Sequence, residues 1–509
     1  MPWWQTSVLY QIYPRSFADS DGDGVGDLDG ICTHLDYVSW LGVDGIWLSP
    51  IYRSPMADFG YDISDYCDVD PTFGDLAAFE KLLGDAHHHD LRLLLDWVPN
   101  HTSDRHPWFV DSRSSRDSAH RNWYVWRDGR ADGAPPNNWR ATFGGPAWTW
   151  DFHTEQWYLH LFLPEQPDLN WDNPDVVAAM QGVLRFWLDR GVDGFRADVI
   201  HLIGKDPALP DQPAELVDGG LVGVHDYPST HELLRSIRSL LDSYPDDRAM
   251  IGEVNLSTAA LLAPYYGARD ELHLVFNFSL LYAPWQPKRW AELITEAETA
   301  FEPAEAWPVW VLSNHDTARL RTRYGGSEDR ARVAAVVLLT LRGTPVLYAG
   351  EELGLEDGAV DEATRVDPGG RDGCRAPIPW TAAAPHGWEG QRPWLPWPPS
   401  PRTRNVEVFR RDENSILHLY RRLLGARRAA PALHKGAWRL LDAPAPVLAY
   451  ERRDHEDVRI TVANFGDEPV EVGNFGNAWR VDVASDRVRD GAPWDGRLGP
   501  DEALVLRPA

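Results

Sequence analysis

The chain has almost no cysteine: three in 509 residues, Cys32, Cys67 and Cys374, far apart and odd in number. That excludes a disulfide framework and a thiolate metal cluster, and leaves small buried thiols in a reducing compartment as the expectation. Long apolar runs are lacking too. The longest, residues 333–341, falls far short of the about 18 residues a membrane span needs, so no membrane partner is expected. Basic charge is scarce, with 49 Lys and Arg against 77 Asp and Glu and a net charge of −28. Without a clustered Lys/Arg stripe, nucleic acid is a poor partner, and the acidic surface suits a neutral or cationic small molecule. The opening Met1-Pro2-Trp3-Trp4-Gln5 has no basic segment leading into an apolar one, which predicts no signal peptide and a cytoplasmic location. Repeats and low-complexity tracts are missing as well.

What is present is a recurring pattern. Short apolar runs at 8–13, 45–48, 91–97, 194–198, 249–253, 274–278, 309–313 and 345–348 alternate with helical stretches, and many end in polar residues. Eight such runs predict parallel strands in an α/β (β/α)8 barrel. One connecting helix shows the mechanics: Asn173 caps it, Pro174 suits its first position and Gly191 ends it. Val177, Met180, Val183, Leu184, Trp187 and Leu188 recur at helical period and form the face expected to pack on the barrel. Two stretches break the alternation. Residues 101–171 form a long insert rich in Trp, Gly, Pro and Asn, and from about residue 430 short alternating runs predict a C-terminal antiparallel β-sandwich domain. The barrel is therefore expected over 1–100 and 172–429, with a Pro- and Gly-rich loop from about 357 to 404 across one end.

Carboxylates cluster at the ends of predicted strands. In Gly194-Phe195-Arg196-Ala197-Asp198, period two points Arg196 and Asp198 to one face, near the C-terminal rim. A guanidinium there favours the ionised carboxylate that a nucleophile requires. A structural Arg–Asp pair is the plain alternative. Glu253 follows an apolar strand, where desolvation would raise its pKa and keep it a proton donor. Asp316, in Ser313-Asn314-His315-Asp316, ends a third strand. Each acid alone reads equally well as a cap or turn residue, but three at three strand ends make coincidence unlikely. His101 closes Asp96-Trp97-Val98-Pro99-Asn100-His101, and Gly60-Tyr61-Asp62 offers an aromatic face beside a polar group, suited to a sugar ring. The 25 tryptophans fit the same need for flat apolar faces, although most belong to core or rim packing. His87-His88-His89 reads as an exposed helix end rather than a metal tract.

Taken together, these residues resemble the α-amylase superfamily of glycoside hydrolases (family thirteen), closest to its α-glucosidase and oligo-1,6-glucosidase branch. The resemblance spans nearly the whole chain. It rests on the opening Val8-Leu9-Tyr10-Gln11-Ile12-Tyr13-Pro14-Arg15-Ser16-Phe17, the segment from Asp96 to His101, Gly194 to Asp198, Glu253, His315-Asp316 and Gln166-Pro167-Asp168-Leu169-Asn170-Trp171. It implies a barrel with domain B inserted after the third strand. It also implies double displacement, with Asp198 as nucleophile, Glu253 as general acid/base and Asp316 as transition-state stabiliser. The resemblance further implies that His101, Arg196 and His315 surround the reacting sugar, with Phe162 lining the pocket. Asp62 and Arg371 match a pair that holds the terminal glucose and makes such enzymes exo-acting. The loop Asp19-Ser20-Asp21-Gly22-Asp23-Gly24-Val25-Gly26-Asp27 resembles a calcium loop, with oxygens from Asp19, Asp21, Asp23, the Val25 carbonyl and Asp27 for one structural Ca²⁺. An empty Asp/Gly turn is the alternative.

The implied activity is release of α-glucose from short α-glucosides, with transglucosylation as a variant of the same chemistry. Linkage is less readable. Val199 is the residue type associated in this family with α-1,6 preference, whereas the short loop before Arg371 and the unusual stretch 204–223 point toward α-1,4 or mixed preference. An isomerase or transglucosidase on the same scaffold is the nearest rival. A non-catalytic relative of the amino-acid-transporter heavy chains is the distant one, disfavoured because all three carboxylates are present and no membrane anchor is.

Overall fold

The computed structural model describes residues 1–213, 226–390 and 392–509. Eight parallel strands close a barrel: β1 (Leu9–Ile12), β2 (Gly45–Leu48), β3 (Arg92–Trp97), β4 (Gly194–Ala197), β5 (Ala249–Gly252), β6 (Leu274–Asn277), β7 (Pro308–Val311) and β8 (Thr344–Tyr348). Each pairs with its neighbours in sequence, and β8 closes onto β1 with Leu9 opposite Val346. Every predicted run became one strand; 45–48 is exact, and the others differ by a residue or two at one or both ends. The shift matters, because Asp198, Glu253 and Ser313 fall just past their strands, at the start of the loops. Inside the barrel, Leu9, Trp47, Leu94, Ile251, Phe276, Val309 and Val346 pack as one apolar plug. β4 and β5 approach so closely that a Cβ on Gly194 would lie 2.2 Å from the Ala249 carbonyl oxygen, so only glycine fits there.

The helix Pro174–Leu188 starts as predicted, with the Asn173 side chain accepting from the Asp175 amide at 3.0 Å. Its buried face carries Met180, Val183, Leu184, Trp187 and Leu188, but Val176 rather than Val177. Val177 is only partly buried, one step around the helix. Between β3 and this helix, the insert builds a three-stranded antiparallel sheet in the order Trp126–Arg127, Gln156–Leu159, Trp148–Asp151. It returns to the barrel through a β-bridge between His101 and Asp168 and a bond from the Leu169 amide to the Asn100 carbonyl at 2.9 Å. Among its described residues, the Pro- and Gly-rich stretch after β8 holds only single turns, Glu362–Thr364 and Asp372–Arg375, before the helix Val406–Arg411.

The C-terminal part is a five-stranded antiparallel sheet, in the order Ala437–Leu440, Val447–Asp454, Asp457–Asn464, Ala503–Pro508, Trp479–Ala484. A two-stranded sheet of Val470–Glu471 and Arg497–Leu498 lies with it over a separate core that includes Val462, Trp479, Val481, Leu498 and Leu504. Among the described residues, no helix is long and apolar enough to cross a membrane. Part of the 204–223 stretch lies outside the described residues. Cys374 is buried as expected, whereas Cys32 and Cys67 are only half-buried. Of the histidine run, His87 is not idle: its Nε2 lies 2.7 Å from Asp193 Oδ2 at the end of the helix Leu76–His88.

Candidate active site

Along the inward-facing tracks of the barrel, side chains change from apolar to polar at the C-terminal rim. Two residues beyond Leu9 stands Gln11, beyond Leu94 stands Asp96, and beyond Gly194 stands Arg196. All three are buried, so their polar groups must find partners inside the protein: Arg196 bonds Asp96, and Gln11 Nε2 bonds Ser49 Oγ and His315 Nδ1. Arg196 is the centre. Its Nη1 donates to Asp96 Oδ1 and Asp198 Oδ1, each at 2.7 Å, and its Nη2 donates to Glu253 Oε2. One guanidinium thus gathers carboxylates from the ends of β3, β4 and β5.

Three carboxylates against one cation leave an excess of negative charge in a dry site. Burial pushes Asp198 well above the usual carboxylate range; Arg196 pulls it down, and Glu253 and Asp96 push it back up. Burial likewise pushes Asp96 up to about 6, against the pull of Arg196. The Arg196–Asp198 contact expected from the sequence is there, but one guanidinium shared three ways does not offset burial, so Asp198 and Asp96 are both raised rather than lowered. Glu253 also departs from its expected apolar setting. Besides Arg196, its carboxyl accepts from Asn255 Nδ2 at 2.9 Å and from the Val199 amide at 3.3 Å.

Asp316 sits in the opposite environment. Burial raises it, but His315, Arg371 and Arg375 outweigh that and hold it well below the usual range. Arg371 Nη1 and Arg375 Nη2 donate to its Oδ1 at 3.1 and 3.2 Å. His315 is clamped between Gln11 Nε2 at its Nδ1 (2.7 Å) and the Tyr61 hydroxyl at its Nε2 (2.6 Å). Burial pushes His315 down to about 3, so it is a neutral ring at ordinary pH.

A cavity of ≈ 490 Å³ opens over these groups, lined among others by Tyr61, His101, Phe162, Asp198, Glu253, Asp316 and Arg371. Arg196 and His315 lie directly behind its wall. Asp62 is the exception among the sequence candidates. It is fully buried and does not meet Arg371, because Ser54 Oγ and the amides of Ala57 and Asp58 hold its carboxylate at 2.9 Å inside its own loop. The partner of Arg371 is Asp58, whose Oδ1 accepts from Nη2 at 2.5 Å. Asp62 shapes the turn that presents Asp58.

Sequence reasoning passed over several lining or supporting residues. Asp96 stood in a quoted motif without a role, although the period-two reasoning applied to Arg196 would have found it. Asp58, Asp367 and Arg375 complete the salt-bridge mesh around Arg371 and Asp316. Asn255, Tyr282 and Phe143 line the cavity from loops that carry no sequence signal. In the loop at 19–27, Asp19, Asp21 and Asp27 each bring an oxygen within 4.8 Å of the others. Asp23 does not join them, and all four carboxylates also accept loop amides, Asp23 from Val25 at 2.7 Å and Asp19 from Gly22 at 2.7 Å.

The sequence model of the alpha-amylase catalytic domain matches residues 11–436. The chain belongs to the α-amylase family. Among relatives in that family, the probable alpha-glucosidase of Rhizobium meliloti (strain 1021) is 42% identical over 498 residues, covering 92% of this chain and 90% of the relative. The oligo-1,6-glucosidase of Parageobacillus thermoglucosidasius is 37% identical over 514 residues, covering 92% and 91%. The solved structure of an alpha-glucosyl transfer enzyme, XgtA, superposes with a TM-score of 0.94 at 40% identity over 100% of both chains.

Proposed function

We propose that the chain is a retaining, exo-acting α-glucosidase that releases α-glucose from the non-reducing end of short, maltose-type α-glucosides. The observation that carries this reading is the single guanidinium shared by Asp198 and Glu253 beneath a cavity whose wall holds the Asp58–Arg371 pair. A shared guanidinium keeps two carboxyls close, in line with the about 5–5.5 Å separation of retaining enzymes rather than the wider gap of inverting ones.

The steps follow from the charges. Asp198 attacks the anomeric carbon as a carboxylate, and Glu253 enters the step as the acid. Glu253 gives its proton to the departing oxygen, and the glucosyl unit becomes an ester of Asp198. Glu253, now a base, takes a proton from water, which displaces Asp198 from the opposite face and restores the α configuration. Asp316, held ionised, supports positive charge on the ring as it passes through the oxocarbenium stage. Neutral His101 and His315, Tyr61 and Phe162 orient the ring, and the Asp58–Arg371 pair limits the pocket to a terminal sugar.

A transglucosidase or an oligo-1,6-glucosidase would share this intermediate. They differ in whether water or a sugar hydroxyl accepts the glucosyl unit, and in the linkage admitted beside Val199. We also assign the loop at 19–27 to one structural Ca²⁺, held by Asp19, Asp21 and Asp27, because converging carboxylates suit a hard cation. It would supply charge neutralisation only. A cytoplasmic location fits the three unpaired thiols.

Turnover of p-nitrophenyl α-glucoside by wild type and Asp198→Ala is the first test, followed by maltose, isomaltose, sucrose and trehalose. Wild type should release α-glucose, and the variant should lose on the order of 10⁴-fold in kcat or more. Release of β-glucose, or an equally active variant, would overturn the mechanism. For the loop, a chelator should lower the melting temperature, and added Ca²⁺ should restore it. No shift in either direction would remove the ion from the assignment.

A further inference from the structure

Lys205, in the segment after β4, is nearly buried at 7% exposure. Its Nζ donates to the Leu202 carbonyl at 3.0 Å and to Asn100 Oδ1 at 3.1 Å, and pairs with Asp168 Oδ2 at 3.0 Å. An ammonium has donors only, so Asn100 must turn its oxygen toward Lys205. The amide nitrogen of Asn100 then faces the other way, 3.2 Å from His101 Nδ1. A donor at that distance requires a bare Nδ1. Burial and the nearby Lys205 charge push His101 down to about 3, so the ring is neutral and its single proton must be on Nε2.

The other nitrogen does not settle the matter by itself. His101 Nε2 lies 3.2 Å from the Tyr61 carbonyl, which accepts, and 3.0 Å from Gln166 Nε2, which donates. Gln166 cannot flip to relieve this. Its Nε2 also donates to Asp58 Oδ2 at 3.1 Å, and its Oε1 accepts from the Leu163 amide at 3.0 Å. Tyr61 therefore favours a protonated Nε2 and Gln166 a bare one. The decision comes from the Nδ1 side.

We infer that Lys205 is a positioning residue that, through Asn100, fixes His101 as its Nε2–H tautomer and so places a hydrogen-bond donor at the pocket wall shared with Tyr61 and Asp58. In the free site this proton is directed at the Tyr61 carbonyl at 3.2 Å; its sharing with a hydroxyl of the bound sugar rests on the glucosidase reading, and the tautomer does not. Lys205 also ties the insert to the barrel through Asp168, and that tie alone would leave the ring's proton unaffected.

The test uses full-length protein labelled with ¹⁵N-histidine and long-range ¹H–¹⁵N correlation, with His101 assigned by its loss in His101→Gln. Wild type should show a bare Nδ1 and a protonated Nε2. Lys205→Met frees Asn100 to flip, so the pattern should reverse. Lys205→Arg restores a donor-only partner and should keep the wild-type pattern. Asn100→Asp preserves the contact with Lys205 but offers Nδ1 only acceptors, so it should also reverse the pattern, and it stands in if Lys205→Met does not fold. Both reversing variants should lose about tenfold in kcat/KM on p-nitrophenyl α-glucoside, the worth of one hydrogen bond. His101 keeping its Nε2 proton in Lys205→Met or Asn100→Asp would overturn the relay. Reversal with full activity would overturn its service to the pocket. An inactive wild type would leave the spectra readable and sink only the glucosidase reading.

Discussion

The barrel mouth and the junction with the C-terminal sheet both bury arginine, and they neutralise it in different ways. At the mouth, Arg196 is held by three carboxylates. At the junction, Arg427 donates to the carbonyls of Leu339, Leu341 and Gly343, and Arg452 to those of Thr340 and Gly436, at 2.5–3.0 Å for the closest contacts. Four of these five carbonyls lie in or just past the last turn of the helix Glu328–Thr340, where carbonyls lack intrahelical donors and carry the negative end of the helix dipole. Burial pulls Arg427 down to about 10 and Arg452 to about 9, yet both stay charged at neutral pH. Carbonyl dipoles cannot titrate, so the groups that hold these two cations neither take up nor release a proton. Carboxylates can, and a site that must store and release a proton needs them.

The sharpest way to break this contrast is to remove each cation. Arg196→Met should lower kcat/KM on the order of 10³-fold, as expected for losing an organising charge in a dry site. Without the cation, the remaining carboxylates ionise less readily, so the acid limb of the pH–activity profile should move to higher pH. Activity within tenfold of wild type would show that the guanidinium does not organise the cluster. Arg427→Met leaves buried carbonyls unpaired and should cost about 3 kcal/mol of stability, while kcat per folded molecule stays unchanged. Denaturant unfolding and active-site titration check both halves. A collapse of kcat in Arg427→Met would end the separation of roles.

The two regions also differed in how far the sequence revealed them. Strand runs and the three carboxylates proposed to react were legible because period two and strand ends are local properties of the chain. Asp58 was not, since its contact with Arg371 joins positions more than 300 residues apart and the nearby Asp62 offered a false match. The buried face of the helix Pro174–Leu188 was misjudged by one residue, at Val177, because period alone does not say how a helix is rotated on its neighbours. Arg427 and Arg452 gave no signal at all. An arginine in an amphipathic helix or a strand reads as solvated, and only the tertiary fold shows that helix-end carbonyls surround it.

The smallest of the expected effects separates the two regions by pH. His101 and His315 are each held down to about 3, against about 6.5 in an unfolded chain. Between those values the unfolded state binds more protons than the folded one, so the stability these rings allow is whole above about pH 6.5 and declines on acidification. Asp96, raised to about 6, acts in the opposite sense: the folded state holds its proton, and stability from this group declines as pH rises from about 4 through 6. Calorimetric melting temperatures from pH 4 to 7.5 should resolve the two slopes through single variants. His315→Gln should flatten the acid decline, and Asp96→Asn should steepen it by removing the opposing term. In a His434→Gln background, which removes the ring that the Arg427 charge helps to lower, Arg427→Met should lower the whole curve without changing its slope, because the carbonyls that hold Arg427 do not titrate. A slope change in that background would mean that the junction is coupled to the carboxylates of the mouth.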